Sequence, residues 1–287
     1  MKKRIALIII IAVIVGILFA IFSLKPKTTL FGIVGYSPVN FPNSSQQEIL
    51  DYFAEINQTT QIYGVNSNLE SANQLVTLAV KNVNKPMVLV LDYKSVQEPA
   101  NIIDLLRKNS QIKYLGLGNE VNLIYSRDKN EFETFISNYF NAYGLIKAEF
   151  PGLKIFTVFQ YEALIGQGTM TGIDRTNEVN LIRRFESQID LIGLTVYPHF
   201  DYDNAASISN NYFDYLIDFK LPIGITETSW PSNINVFSGD LSILNTSEQE
   251  QADYISWLSR LDKSKFEFVN WLFLNDIDNK NTAFLGS

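Results

Sequence analysis

The sequence predicts an α/β fold, a (β/α)8 TIM barrel behind an N-terminal transmembrane helix, and three observations lead to this class. Short apolar runs alternate with amphipathic segments along most of the 287 residues, which favours parallel strands joined by right-handed crossovers. The runs are apolar almost throughout, as in strands covered on both faces. No Pro/Gly-rich linker divides the chain, and one such barrel needs about 250 residues. A doubly wound open sheet is the alternative, but Gly35-Tyr36-Ser37-Pro38 is not a phosphate loop.

The first 24 residues predict a membrane anchor. Met1-Lys2-Lys3-Arg4 is basic, and residues 5–22 carry no charge, which is long enough to span a bilayer as one helix. The basic start favours a cytoplasmic N-terminus, so the rest of the chain is expected outside the cell membrane. A cleaved signal peptide, and hence a secreted protein, is the alternative, although residues 19–23 make a poor cleavage site. Residues 25–29 then form a tether, and residues 30–287 form the barrel domain.

Eight strands are predicted from the apolar runs. They cover residues 30–36, 59–63, 87–93, 112–118, 154–159, 191–197, 223–226 and 266–274.

Seven helices are predicted between these strands. The first is capped by Ser44 or Ser45 and carries Ile49, Leu50, Phe53 and Ile56 inward, and the seventh opens at Thr246-Ser247-Glu248-Gln249. The helices cover residues 45–56, 69–83, 101–108, 129–150, 178–187, 208–219 and 246–261. Only about a dozen residues follow the eighth strand, so the last helix is expected to be short or missing.

Composition excludes several kinds of chemistry. The net charge of −7 and the absence of Lys/Arg clusters beyond the N-terminus argue against a nucleic-acid partner. The chain has no cysteine and one histidine, His199, which excludes thiolate chemistry and multi-His metal sites. We therefore expect no metal or cofactor, and a chemistry that depends on carboxylates, tyrosines and amides. We also expect a monomer.

Two glutamates follow apolar runs at predicted strand ends. Glu120 lies in Gly116-Leu117-Gly118-Asn119-Glu120-Val121-Asn122, and Glu227 lies in Ile225-Thr226-Glu227-Thr228-Ser229-Trp230-Pro231-Ser232. The C-terminal ends of barrel strands face the rim where barrels do chemistry. Two carboxylates facing each other there are the working parts of a glycoside hydrolase, and their proximity separates their pKa values. Glu120 is expected to be the acid/base and Glu227 the ionised nucleophile.

These motifs resemble those of the clan A retaining glycoside hydrolases, and most closely those of family 17, the β-1,3-glucanases and glucanosyltransferases. Residues 118–121 match that family's acid/base motif, and residues 227–232 resemble its nucleophile motif, usually Glu-Ser/Thr-Gly-Trp-Pro. Residues 196–202, Val-Tyr-Pro-His-Phe-Asp-Tyr, resemble its strand-six segment. The family 53 β-1,4-galactanases share similar segments and are the second choice.

The resemblance implies roles for further residues. Asn119 would hydrogen-bond the sugar 2-OH, Tyr197 would donate to Glu227, and Trp230 and Trp271 would be sugar platforms. Further residues are expected to line the substrate site: Tyr36, Tyr63, Asp92, Tyr93, Gln160 and His199. His199 also has a purely structural interpretation. Glu162 and Asp276 are the best rival carboxylates.

The resemblance implies a retaining endo-β-glycosidase that acts on an extracellular, β-1,3-glucan-like polysaccharide. A transglycosylase that remodels wall or exopolysaccharide glycan, and a non-catalytic carbohydrate-binding barrel, are the alternatives. Gln61 stands where family 17 usually has a basic residue, and Ser229 stands where it has glycine. These departures, with the expectation of a short or missing last helix, leave the sugar and the linkage open.

Overall fold

A computed structural model of the chain describes residues 28–34, 45–167, 178–232 and 246–272. The predicted anchor (residues 1–24) and most of the tether lie outside these residues, and so do Tyr36 and Asp276. Within the described ranges, no helix combines the length and the apolar character needed to cross a bilayer.

The strands form one parallel sheet that closes into a barrel. Its order is β5-β4-β3-β2-β1-β9-β8-β7-β6, with every described pair parallel. The two end strands, β5 and β6, are separated only by Thr157, so together they occupy one barrel position. The strands are β1 (Leu30–Val34), β2 (Ile62–Ser67), β3 (Met87–Leu91), β4 (Ile112–Leu117), β5 (Lys154–Phe156), β6 (Val158–Gln160), β7 (Ile192–Val196), β8 (Ile223–Thr228) and β9 (Phe266–Leu272). The predicted parallel barrel is confirmed.

Helices cover the outside of the barrel. The α-helices are α1 (Gln46–Thr59), α2 (Leu69–Asn82), α3 (Pro99–Lys108), α4 (Val121–Arg127), α5 (Lys129–Glu149), α6 (Tyr161–Leu164) and α7 (Glu248–Ser259). Short 3-10 segments cover Ser95–Gln97, Val179–Arg184, Glu186–Gln188, Pro198–Phe200, Ala205–Ser207 and Asp214–Leu216.

The N-terminal caps explain where two of the helices begin. Ser45 and Glu48 form a capping box at the start of α1, and the Ser247 side chain accepts from the Glu250 N–H at the start of α7. For the five predicted helices that are α-helical, most predicted boundaries are within a few residues of those observed. One predicted inward residue of α1 is wrong, because Leu50 is 46% exposed.

Two predicted helices are not α-helical. Residues 178–187 form two 3-10 segments, and most of residues 208–219 are turns around Asp214–Leu216. In the second region the Tyr212 carbonyl accepts from the Tyr161 hydroxyl, a tertiary bond that replaces helical pairing. Such contacts override a helical pattern.

The core has two layers. A small cluster of buried residues fills the barrel: Ile62, Val88, Val90, Tyr114, Phe156, Val158, Leu191 and Phe268. A larger one lies between the strands and the helices. Polar side chains replace apolar ones at the C-terminal ends of the strands, which is where the candidate site lies.

Candidate active site

Glu120 lies in a tight turn directly after β4. Its φ of 49° makes it the one non-glycine residue with positive φ in the described part of the chain. Its Oε1 accepts from the Thr195 hydroxyl at 2.7 Å. Burial, and next the charge of Glu227, raise the pKa of Glu120 to about 7, although the Thr195 hydrogen bond opposes this shift. A carboxyl with this pKa stays protonated at mildly acidic pH.

Glu227 is in β8, and two side chains donate to its carboxylate. The Tyr197 hydroxyl donates to Oε2 at 2.7 Å, and the Asn66 amide donates to Oε1. Burial raises the pKa of Glu227, and both hydrogen bonds act against that rise because they favour the charged form. Glu120, in contrast, accepts from one side-chain donor, Thr195.

Strand β7 brings the two carboxyls together. Thr195 pairs in register with Glu227 of β8, and its side chain donates to Glu120. Two residues further on, Tyr197 donates to Glu227. The two glutamates predicted from sequence therefore share one site at the barrel mouth, with Tyr197 where the resemblance expected it.

Asn119 lies in the turn after β4, directly before Glu120. Its Oδ1 is buried and has no hydrogen-bond partner among the described residues. A buried, unpaired amide oxygen costs free energy unless a ligand or water satisfies it. This suits a contact with a sugar hydroxyl.

Two polar residues of the site, Asn66 and Thr195, were missed, and so was Asn270 inside the barrel. Asn66 lies beyond the predicted end of strand two, Thr195 lies inside an apolar run, and Asn270 interrupts the apolar run of β9. Asn270 is fully buried, and neither Nδ2 nor Oδ1 has a partner in the described part of the chain. A polar residue within an apolar strand run is the signal that could have identified the last two.

Glu162 and Gln160 are buried together below Tyr197. The Gln160 amide donates to Glu162 Oε2 at 2.6 Å and accepts from the Ala163 N–H, also at 2.6 Å. Both ends of the Gln160 side chain are thus used within the protein, which corrects its expected role in lining the substrate site.

The expected aromatic platforms are not at the mouth. Trp230 is fully buried against Tyr254 of α7, so neither ring face is open to a sugar. Trp271 lies on the outer wall, beside Tyr254 and in a groove between α1 and α7. Side chains alternate between the two faces of a strand, so the residues on either side of Trp271 face the barrel interior and Trp271 faces outward. Both platform expectations are wrong.

Other expected lining residues also point elsewhere. Tyr63 is buried in the layer between strands and helices, and the Tyr93 hydroxyl donates to Glu131 of α5 at 2.7 Å. Asp92 is at the rim but caps the following turn by accepting from the Ser95 N–H at 3.0 Å. These placements correct the expected subsite roles of Tyr63 and Tyr93.

His199 has a structural environment. Its Nδ1–H donates to the Ser229 carbonyl at 3.1 Å, and its ring lies 4.5 Å from the ring centre of Phe200. Burial lowers the pKa of His199 to about 4, so it is neutral at ordinary pH. The structural interpretation of His199 fits these contacts better than a contact with substrate.

Comparisons with known proteins show the fold. No protein-family model matches the sequence, and no curated protein matches it. A β-glucuronidase of an uncultured Clostridium species superposes with a TM-score of 0.55 at 8% identity, over 85% of this chain and 43% of that one. The chain therefore spans less than half the length of that enzyme.

Two further solved structures agree. An endo-laminarinase from Formosa Hel1_33_131 gives a TM-score of 0.55 at 13% identity, over 84% of this chain and 77% of that one. A family 2 β-galacturonidase from Eisenbergiella tayi, bound to galacturonate, gives 0.54 at 10% identity, over 86% of this chain and 44% of that one. At these identities the likeness is one of fold, and the fold of this chain is the parallel barrel found in these glycoside hydrolases.

Proposed function

We propose that this protein is a retaining β-glycosidase that cleaves a polysaccharide by double displacement. The observation that carries the proposal is the arrangement at the C-terminal end of β7, where Thr195 donates to Glu120 and Tyr197, directly after the strand, donates to Glu227. Burial favours the protonated form of Glu120, and two donors favour the charged form of Glu227, which is the division of roles that retaining hydrolysis needs.

In the proposed mechanism Glu227 attacks the anomeric carbon while Glu120 protonates the departing oxygen. A glycosyl-enzyme on Glu227 results, and Glu120, now a base, activates the water that hydrolyses it. Tyr197 and Asn66 stabilise the Glu227 carboxylate before attack and after release. Asn119 would bind the sugar 2-OH.

The substrate we propose first is a β-1,3-glucan-like polysaccharide cleaved internally. The motif resemblance favours it, and one of the structural neighbours is an endo-laminarinase. Transfer to a sugar acceptor uses the same residues. Product masses after incubation with laminarin, galactan, mixed-linkage glucan or chitosan would separate hydrolysis from transfer.

The two glutamates should respond differently to removal. Glu227→Ala should abolish turnover, and azide should restore it with an α-glycosyl azide as product, because the anion enters the vacated place. Glu120→Ala should slow polysaccharide cleavage far more than cleavage of aryl glycosides, because an aryloxide group can depart without being protonated. Azide should then give the β-azide.

An exposed glutamate, Glu149 at the C-terminal end of α5, provides the control. Glu149→Ala removes a carboxylate that pairs with Arg107 at the surface, so activity should be unchanged. If Glu120→Ala and Glu227→Ala both kept the activity of Glu149→Ala, the proposed site would be rejected.

We also propose that the barrel is held at the outer face of the cell membrane by residues 1–24. The support is the basic start and the uncharged stretch that follows it. Fractionation of cells that express the full chain tests this. Protein found in the medium and cut near Ser23 would support the secreted alternative.

A further inference from the structure

A third carboxyl, Glu162, lies buried beside the candidate site, and the proposed mechanism does not use it. It is fully buried and accepts hydrogen bonds from three other residues. The Tyr197 N–H donates to Oε1 at 2.7 Å, the Tyr212 hydroxyl donates to the same oxygen, and the Gln160 amide donates to Oε2 at 2.6 Å. No Lys or Arg pairs with it among the described residues. A buried carboxyl without a cation is costly, so its presence calls for an explanation.

The position of Tyr197 supplies that explanation. Its backbone N–H is bound by Glu162, and its hydroxyl donates to Glu227 at 2.7 Å. The residue follows β7 directly and begins the turn at Pro198–Phe200, where no ladder partner holds its N–H. Glu162 thus fixes the backbone from which Tyr197 reaches the nucleophile.

We propose that Glu162 is a positioning residue that holds Tyr197 in place to donate to Glu227, and that this role requires a carboxyl. The inference rests on the proposed function of Glu227. Glu162 does not itself touch the reacting atoms.

The hydrogen-bond pattern shows why glutamine would not serve. The Tyr197 N–H and the Gln160 NH2 can only donate to residue 162, and Gln160 cannot reverse its amide because its Oε1 accepts from the Ala163 N–H. An amide at position 162 would turn its own NH2 either toward Gln160 or toward Tyr197 and Tyr212. Either orientation brings two donors together and leaves one unpaired.

The charged and titratable groups around Glu162 do not supply a substitute for the carboxyl. They are Tyr161, Tyr197, Asp201, Tyr212 and Tyr254. Glu227 faces Glu120, Tyr197 and Asn66. Burial raises the pKa of Glu162 to about 7. A neutral carboxyl still accepts from Tyr197 and can turn its proton to the Tyr212 oxygen, so the positioning role holds in both states.

The test is a donor–acceptor exchange in the full-length protein. Glu162→Gln should lower kcat about tenfold and change KM by less than about twofold. It should also move the acid limb of the pH profile to higher pH, because Glu227 loses an aligned donor that favours its charged form. The double variant Gln160→Glu/Glu162→Gln restores every hydrogen bond with the same net charge. Its kcat should lie within about threefold of that of the unmodified protein, and its acid limb within ~0.3 pH units.

Asp190→Asn is the matched control. Asp190 lies at the N-terminal end of the barrel and accepts from the Ile155 N–H at 2.8 Å and from Lys147 at 2.7 Å. Its replacement should lower the melting temperature and leave the pH profile unchanged. If Glu162→Gln behaves like Asp190→Asn, Glu162 is merely structural and the inference is overturned. A double variant no better than Glu162→Gln overturns it too.

A second measurement needs no turnover. The NMR signal of the Tyr197 ring, assigned by its loss in Tyr197→Phe, should titrate as Glu227 ionises. This titration should move to higher pH in Glu162→Gln and return in the double variant. If the protein cleaves no glycan but the titration behaves in this way, the proposed function fails while the positioning role stands. If Glu162→Gln does not fold, the double variant decides alone, and a loss of kcat greater than tenfold contradicts the proposal.

Discussion

Glu120 combines an unusual backbone conformation with a shifted pKa. A glutamate at φ 49° is held in the left-handed region, which costs about 1 kcal/mol or more, and its side chain is buried beside a second carboxylate. Both features favour function over stability, because strain and shifted pKa values concentrate where the surrounding structure fixes a reactive group.

Glu120→Gln should therefore stabilise the protein at neutral pH. Burial and the charge of Glu227 raise the pKa of Glu120 from 4.5 to about 7, so the folded state binds this proton more tightly than the unfolded state. The stability contributed by the bound proton is fully present below pH ~4.5 and is lost as pH rises through ~7. Glutamine carries no charge to bury, so the gain should be about 1–3 kcal/mol larger at pH 8 than at pH 5.

Urea unfolding at the two pH values would measure this difference. Glu149→Gln, which removes the exposed carboxylate of α5 that pairs with Arg107, is the control for the loss of a surface carboxylate. An equal effect of Glu120→Gln at pH 5 and pH 8 would mean that the Glu120 carboxyl is not perturbed in the folded state.

At the scale of elements, the strands and five of the seven predicted helices were found as α-helices or strands, but residues 178–187 and 208–219 were not α-helical and the end of strand two was wrong. Apolar periodicity located the barrel strands because their side chains are buried on both faces. The prediction ended strand two at Tyr63, but β2 continues to Ser67. The polar residues excluded by an apolar pattern are those that reach the mouth, so Asn66 was missed although it donates to Glu227. Glu120 and Glu227 could be found because each belongs to a longer motif.

The turn after β4 should be the least tolerant element of the site. Gly118 has φ 87°, and a Cβ there would come within 2.6 Å of Phe135 Cζ and of Val121 Cγ1. Gly118→Ala should therefore destabilise the fold by about 1–3 kcal/mol and displace Glu120, with a loss of activity beyond the loss of folded protein. Gly144→Ala in α5 is the matched substitution. It meets nothing within 4 Å and should stabilise the helix by about 0.5–1 kcal/mol. Urea unfolding of both variants tests the pair, and a tolerant Gly118 would contradict the strained turn.

At the scale of the whole molecule, the barrel determines which aromatic residues a sugar can reach. The resemblance implied that Trp271 is a sugar platform at the mouth, but strand alternation directs its side chain to the outer wall. There it lines a groove of about 420 Å³ with Phe31, Ile255 and Leu258. Sequence position along a strand predicts the end of the barrel that a residue approaches. The face of the strand depends on register, and a shift of one residue reverses it.

Charge over the whole chain provides the last prediction, because the structural neighbours include enzymes named for uronates and one named for laminarin. Residues 1–27 contain five of the 23 basic residues and none of the 30 acidic ones. Residues 28–287 therefore carry 18 basic and 30 acidic residues, a formal charge of −12. No Lys or Arg pairs with Glu120, Glu162 or Glu227 in the described ranges. A neutral glucan should thus be cleaved with a kcat/KM that changes less than about twofold between 10 and 150 mM NaCl, since screening alters only charged encounters. A polyuronate should be cleaved poorly at low salt and better at high salt. Faster cleavage of a polyuronate at 10 mM than at 150 mM NaCl would reveal a cationic subsite and reverse the choice of substrate.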